Sequence, residues 1–173
     1  MKIPVNNQQL EIKFRFKSID EWYKQFPDQK TNEDLFDVIF TGLVFNNPMA
    51  LAKALYGGLA YLGKDMPAFD DFFDALSDYE ATLTDTDKLF IDALAELNAS
   101  GFFKLQLQAW KTQLETYKTA SEKALSNLKA PRKMDSKQKE AYEAQQAQLE
   151  DVQERTQSVL NALTDKLSTI ENG

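Results

Sequence analysis

The chain has 173 residues, 43% of them hydrophobic, and a formal net charge of −7 at pH 7. This length suits one domain with an appendage, and the hydrophobic fraction is large enough to build a core. The sequence contains no Cys and no His, which excludes disulfides and removes the commonest general base and a major zinc ligand.

Charge is unevenly distributed along the chain. Residues 1–100 hold 9 Lys or Arg against 17 Asp or Glu, whereas residues 101–173 hold 11 against 10. An acidic surface repels phosphate, so we expect no nucleic-acid partner. The first residues lack the apolar run of a signal peptide, and no stretch approaches the roughly 18 uninterrupted apolar residues of a membrane span. We therefore expect a soluble, intracellular protein with no membrane partner.

The N-terminal pattern predicts a β-hairpin followed by a short helix. After the turn-forming pair Asn6-Asn7, apolar residues alternate with charged ones from Leu10 to Phe16. A period of two is typical of a strand with one buried face. Ser18 and Glu21 then have the spacing of a capping box, which makes Ser18 the predicted N-cap of the short helix.

The middle of the chain predicts a helical head. Thr31 or Asn32 caps a helix that is apolar nearly all round, and such a helix is usually central. Pro48 suits the first position of the next apolar helix. That helix contains Gly57-Gly58, which costs helix propensity, so we expect close packing against a neighbour there.

Two further helices follow, one that Pro67 begins and one from about Thr84 to Leu97. The first carries the densest carboxylates of the chain, which are Asp70, Asp71, Asp74 and Asp78. A metal site or an acid–base pair is one interpretation. Because Phe residues interleave with these carboxylates and mark an opposite, buried face, we favour a solvated helix surface.

A calcium loop is the other candidate for carboxylate chemistry, and it fails on spacing. Asp85 and Asp87, with Glu96 at the twelfth place, match three positions of such a loop. However, Leu89 stands where an oxygen ligand belongs, and Phe90 stands where the turn requires Gly. No phosphate-binding glycine pattern occurs, and although Ser–Lys pairs are available, no pattern nominates one as a nucleophile and its base. We therefore expect a protein that is not an enzyme, with no catalytic residue, metal site or cofactor.

Asn98 to Gly101 reads as a boundary before two long amphipathic helices. The sequence thus predicts a mostly helical α+β protein. An acidic head (residues 1–100) carries the N-terminal β-hairpin, and a C-terminal extension (residues 101–173) carries helices at about 101–130 and 136–170. A polar turn around Pro131 joins these helices, and basic residues cluster near it: Lys129, Arg132, Lys133, Lys137 and Lys139.

One face of the first long helix carries apolar positions that alternate at spacings of four and three. This helix, at about 101–130, is the sixth of the predicted helices and is labelled α6. We call the set the α6 stripe, and its members are Phe103, Leu107, Trp110, Leu114, Tyr117, Ser121, Ala124 and Leu128. Two interpretations stay open. The stripe either packs in the chain's own core or forms a seam for a partner helix. The candidate partner-binding residues are Trp110, Leu114, Tyr117, Phe103, Leu107 and Leu128.

The last helix has a weaker apolar pattern. Its apolar or small residues recur every seven positions, with two valines between them: Tyr142, Leu149, Thr156, Leu163 and Ile170, with Val152 and Val159. Such a helix gains little on its own and needs a partner surface.

The order of these features resembles the tail assembly chaperones of long-tailed bacteriophages and prophages of Gram-positive hosts. The resemblance covers about residues 1–105 and rests on four segments: the alternating hairpin, Met49 to Leu59, the acidic segment Phe69 to Leu76, and Thr86 to Leu97, which leads to Ser100-Gly101-Phe102-Phe103.

The resemblance implies a function. Proteins of this family bind the tape measure protein, a very long helical chain that sets tail length, and keep it soluble. They help tail tube protein subunits polymerise around it. They act in the host bacterial cytoplasm and are not retained in the mature virion. This chain departs from the short form of the family by about 70 residues beyond Gly101, which leaves open which region binds which partner and whether copies of the chain self-associate.

A second hypothesis comes from charge alone. The carboxylates of residues 65–96 suit an acidic phage inhibitor or adaptor that binds a host nucleic-acid-processing enzyme. Binding that weakens strongly with salt would favour this hypothesis over the chaperone.

Overall fold

The computed structural model describes residues 1–6, 8–129 and 135–172. Strands β1 (Lys2–Val5) and β2 (Gln8–Glu11) form an antiparallel pair. Seven α-helices follow within the described residues, with a short 3₁₀ segment at Ala60–Asp65: α1 (Phe16–Gln25), α2 (Asn32–Val44), α3 (Pro48–Gly57), α4 (Phe69–Glu80), α5 (Asp87–Ala99), α6 (Gly101–Asn127) and α7 (Ser136–Asn172). The predicted class, mostly helical α+β, is confirmed.

The second strand is shorter than its alternating pattern predicts. Lys2, the first residue of β1, lies opposite Glu11, so no partner strand remains for the residues beyond Glu11. Ile12 and Phe14 are nevertheless buried, as the alternation predicts. The prediction for Phe16 is wrong, because this residue is 70% exposed and begins α1.

The predicted capping box lies three residues too late. Arg15 is the N-cap of α1, and its backbone N–H donates to Ser18 Oγ at 3.0 Å. Ser18 is therefore the third residue of the helix and not its cap. Glu21, predicted to complete the box, instead accepts hydrogen bonds from Lys24 and Gln25 one turn further on.

Helix α2 is central, as its composition predicts. It packs against α3, α5, α6 and α7. Thr31 is its cap, since the Thr31 hydroxyl oxygen accepts from the backbone N–H of Asp34 at 3.1 Å. The buried residues that α2 contributes to the core are Leu35, Phe36, Ile39, Phe40, Leu43 and Val44.

The end of α3 shows the close packing that Gly57-Gly58 predicts. A Cβ at Gly57 would lie 2.1 Å from Trp22 Nε1, and a Cβ at Gly58 would lie 2.5 Å from Ile12 Cγ2. Trp22 is fully buried and donates from Nε1 to the backbone oxygen of Ala54 at 3.0 Å. The two glycines thus let the hairpin and α1 approach α3.

The long C-terminal helices fold back on each other. Helices α6 and α7 pack together, and the connection between them is short, so they run antiparallel. Their bounds agree with the predicted ranges to within three residues. The predicted turn around Pro131, with Arg132 and Lys133 of the basic cluster, lies outside the described residues. Within the described ranges, no helix combines the length and the hydrophobicity that a membrane span requires.

Candidate partner-binding surfaces

The first residues of the α6 stripe lie in the core of the head. Phe103 is fully buried, and its ring lies 5.1 Å from that of Trp22. Trp110 is 4% exposed, packs 5.4 Å from the Phe40 ring, and donates from Nε1 to Asp37 Oδ1 at 2.8 Å. The partly buried indole N–H thus has a partner, as such groups usually do. For these two positions the core interpretation is the one that the structure supports.

The remaining candidate residues divide between buried and accessible. Leu107 and Leu114 are buried, in the same cluster as Leu160 and Leu163 of α7. Tyr117 is 51% exposed, and Leu128 is half-buried. Partner binding through the stripe stays a prediction, and for its buried members it requires α6 to separate from the elements packed on it.

The buried residues of α7 have the predicted seven-residue spacing, but the buried apolar residue that lies between them is not one of the predicted valines. Leu163 and Thr156 are buried, and Leu160 is the buried residue between them, four positions after Thr156. Val152, one of the two valines between the seven-residue positions, is 39% exposed. Antiparallel packing selects spacings of four and three, so the contact positions of α7 are Tyr142, Gln146, Leu149, Gln153, Thr156, Leu160, Leu163, Leu167 and Ile170.

A groove lies between the C-terminal end of α2 and the middle of α7. We call it the α2–α7 groove, and its lining residues are Thr41, Phe45, Asp151, Glu154, Arg155, Ser158 and Val159. Phe45 is 48% exposed and Val159 is half-buried. At the rim, Arg155 Nε donates to Asp151 Oδ1 at 2.9 Å. An apolar floor with a charged rim is typical of a site for an amphipathic helix.

A second apolar feature lies where α1 and α6 begin. The rings of Phe16 and Phe102 lie 4.8 Å apart, and Leu105, one turn along α6, is 62% exposed. These side chains continue onto the outer surface of α6, on the opposite side from the α6 stripe. Exposed large apolar groups that lie together mark interaction sites more often than scattered ones do.

The acidic helix α4 has the solvated surface that the sequence predicts. Its four aspartates are exposed, whereas Phe72 and Leu76 are buried on the opposite face. In the described part of the chain, no three acidic side chains come together as they would around a metal ion.

Asp87, considered above for a calcium loop, joins three elements. Its Oδ1 accepts from Lys166 Nζ of α7 at 2.6 Å and from Asn46 Nδ2, at the end of α2, at 2.7 Å. The hydrogen bond from the Lys166 ammonium holds the pKa of Asp87 below its usual value; partial burial opposes this effect, and the Asn46 amide adds to it. The Lys166 side chain is 8% exposed and lies over the Phe90 ring. This ion pair therefore ties α7 to α5 and α2.

A comparison with known protein families decides the identity. The family model described as phage tail assembly chaperone protein, TAC, matches residues 2–111, which run from β1 to the middle of α6. The chain belongs to the phage tail assembly chaperone family. No curated protein and no solved structure matches the chain.

The family match divides the chain into two parts, the matched residues 2–111 and the residues that follow them. The matched residues contain the hairpin, helices α1 to α5 and the part of α6 that is buried in the head. The second half of α6 and all of α7 lie beyond the match. The family's role in tail assembly implies protein partners, and the added helices supply surface that the matched part lacks.

The sequence analysis missed two surfaces of this chaperone. The α2–α7 groove forms because the end of α2 lies beside the middle of α7, and no local sequence pattern predicts that these two regions come together. The sequence does contain a signal for the outer surface of α6, because nearly all the charged residues of this helix lie on one flank. That signal was hidden by the stronger apolar stripe on the opposite side.

Proposed function

We propose that this chaperone binds the tape measure protein of its own phage, keeps that long helical chain soluble, and helps to recruit tail tube subunits. The phage would be a long-tailed phage or prophage of a Gram-positive host. The chaperone would act in the host cytoplasm and leave before the virion is complete. The observation that carries the proposal is the family match over residues 2–111.

The α2–α7 groove is the surface that best suits a helical client. Phe45 and Val159 offer apolar contact between helices, and Asp151, Glu154 and Arg155 offer polar contact at the rim. A client helix would bury its apolar side against Phe45 and leave its polar side in water. The net charge of −7 would keep the complex dissolved while the client is held.

The α6 stripe is a second candidate surface, and one observation favours it. Beyond Tyr117, the contact between α6 and α7 contains Ser121, Gln146 and Gln153 at positions where a stable helix pair carries apolar residues. A client helix that offers apolar side chains there would compete with α7. Leu114 and Leu128 would then contact the client.

Co-expression with the tape measure protein of the same phage tests the proposal. We expect the tape measure protein to become soluble and to co-purify with the chaperone. Phe45→Glu should reduce the amount that co-purifies, because it places a charge in the groove. Met49→Glu is the matched control, since Met49 is another exposed apolar side chain, does not line the groove, and should leave capture unchanged.

The outcomes separate the two surfaces. If Phe45→Glu has no effect and Leu149→Ala, which loosens α7, strengthens capture, then the α6 stripe is the binding surface. If the tape measure protein stays insoluble with every variant and with the natural chain, the client assignment is wrong. Family membership does not favour the acidic-inhibitor alternative.

A further inference from the structure

Helix α6 has an outer surface that faces solvent and is almost without charge. Between Phe102 and Ala120 eight side chains on this surface are uncharged, while Glu115 borders them and Lys123 follows three residues after Ala120. We call this set the outer face of α6, and it comprises Phe102, Leu105, Gln108, Ala109, Thr112, Thr116, Thr119 and Ala120. All but Phe102 are exposed, and Leu105 is 62% exposed. An isolated surface helix normally carries charged residues on this side.

The threonines of the outer face are less polar than their sequence indicates. The hydroxyl of Thr112 donates to the backbone oxygen of Gln108 at 3.0 Å, and that of Thr116 donates to Thr112 at 2.9 Å. Thr119 makes the same bond to Glu115 at 2.9 Å. Each hydroxyl is thus satisfied within its own helix, which leaves the methyl group for contact. Leu105 and Phe102 extend this methyl-rich surface toward Phe16.

Five of the six charged residues of α6 lie along one flank of the outer face; the sixth is Lys123. Lys104 and Lys111 come first, and Glu115 and Glu122 follow, each pair seven residues apart. Lys118, on the same flank, lies 3.8 Å from Glu122 within the helix. A partner helix that lies on the outer face therefore meets Lys104 and Lys111 near the start of α6, and Glu115 and Glu122 further along, with Lys118 between these two glutamates.

We propose that a second copy of this chain covers the outer face, with the two α6 helices antiparallel. A two-fold axis perpendicular to both helices brings the same flank of each helix together in opposite directions. Lys104 then faces Glu122 of the other copy, and Lys111 faces Glu115. A second copy of the chain therefore presents charges opposite to those on this flank.

The same alignment fits the sizes of the side chains along the centre of the contact. With the axis near Thr112, Leu105 lies opposite Ala120 of the other copy, and Ala109 lies opposite Thr116. Large residues thus meet small ones, which allows close approach. The contact extends about 27 Å along the helix. It is smaller than the roughly 800 Å² per partner of standard interfaces, so we expect dissociation in the micromolar range.

This pairing does not depend on the identity of the client. The α6 stripe, the head and α7 all lie on the other side of α6, so the outer face is accessible in the folded chain. The dimer would be present in the free chaperone, and the failure of tape measure binding would leave it unchanged.

Site-directed disulfide formation tests the axis, because the chain has no cysteine. Thr112→Cys places one thiol at the axis, and mild oxidation of the full chain should give a covalent dimer. Thr119→Cys is the matched control. It is exposed on the same face and makes the same bond within its helix, but its two copies would lie about 20 Å apart, beyond the reach of a disulfide.

Equal crosslinking at both positions would contradict the antiparallel arrangement, since parallel helices bring both pairs of thiols together. Absence of crosslinking at Thr112, together with a monomer in sedimentation experiments up to several hundred micromolar natural chain, would overturn the proposal. That result would leave the outer face for a different partner.

Charge reversal gives an independent test in the full chain. The variants Lys104→Glu with Lys111→Glu, and Glu115→Lys with Glu122→Lys, each bring like charges together in the homodimer. Each should weaken self-association about tenfold. An equimolar mixture should restore the dimer, because opposite charges then meet.

Matched controls change the same net charge on exposed positions of α7. They are Lys137→Glu with Lys139→Glu, and Glu140→Lys with Glu143→Lys, and they should leave association unchanged. Circular dichroism confirms that each variant keeps its helical content. If the mixture associates no better than either variant alone, or if the controls weaken association equally, the proposed pairing is wrong.

Discussion

The two halves of the α6–α7 hairpin have the same spacing of contact positions but different contents. The inner half, residues 101–114 with 156–172, buries large apolar side chains such as Phe103 and Leu163 in the core of the head. The outer half, residues 115–129 with 135–155, has Ser121 as its one buried residue in the described part of the chain. Spacing alone determines which side of a helix faces its neighbour. The apolar area that is buried determines how strongly the two helices hold together.

From this comparison we expect the outer half to open more easily than the inner half. Helices with few buried apolar contacts exchange their amide hydrogens through local opening, at a lower free energy than the core does. A client helix that competes with α7 would displace it most easily in the outer half, because few buried apolar contacts are lost there.

The largest expected effect is in the inner half. Leu163 is fully buried, so Leu163→Ala should lower the free energy of unfolding by about 2–5 kcal/mol, through lost burial and the cavity that remains. Chemical denaturation followed by circular dichroism measures this loss. A loss below about 1 kcal/mol would show that the inner half is no more tightly packed than the outer half.

The ion pair between Lys166 and Asp87 should have an intermediate effect. Lys166→Met keeps the aliphatic stem but removes the charge, and it should cost about 1–3 kcal/mol. Since the pKa of Asp87 is lowered in the folded chain, the pair stabilises above the unfolded-state value of about 4. That contribution is lost as the pH falls through the lower, folded-state pKa.

Stability measurements of the natural chain and Lys166→Met between neutral and acidic pH test this assignment. The difference between the two chains should be constant near neutrality and should shrink only below about pH 4. A difference that does not change in acid would show that packing of the lysine stem, and not its charge, stabilises this end of α7.

A smaller effect is expected in the outer half. Leu149 is half-buried, so Leu149→Ala should cost about 1 kcal/mol or less. Hydrogen exchange should nevertheless rise across residues 115–129 and 135–155 while the head stays protected. Uniform exchange across α6 and α7 would contradict the division of the hairpin into two halves.

The smallest effect should be a gain. Ser121 is buried in the outer half, and its hydroxyl donates only to the backbone oxygen of Lys118 in the described structure. Ser121→Ala removes this local bond and improves helix propensity, so stability should rise by about 0.5 kcal/mol. Thermal unfolding detects this as a small increase in Tm, and a decrease would show that the serine makes a stabilising contact.

Much of the head could be predicted from local sequence. Thr31 caps α2 because its hydroxyl reaches a free backbone N–H one turn on, and Asn47 before Pro48 does the same for α3. Gly57 indicated a close approach, because a glycine inside a helix costs stability unless a neighbour needs the space. These signals depend on a few adjacent residues, which the sequence shows directly.

Where local sequence was not enough, contacts with neighbouring elements decided the outcome. Ser18 was predicted as a cap, but Arg15 takes that place because the chain leaves the hairpin earlier than the alternation indicates. For Trp110 the sequence left core packing and partner binding open, and the structure places it in the core, where Phe40 and Asp37 of α2 contact it. Local pattern does not show whether an apolar stripe meets its own chain or another.

The sequence by itself determined the helical periods, the N-cap of α2, the acidic surface of α4 and the family of this chaperone. These follow from spacing and residue type, which act over one or two turns. Only the tertiary structure decided which faces remain exposed. The head buries Phe103 and Trp110 of the α6 stripe, whereas the groove beside Phe45 and the outer face of α6 are left accessible. Burial depends on contacts between residues far apart in the chain.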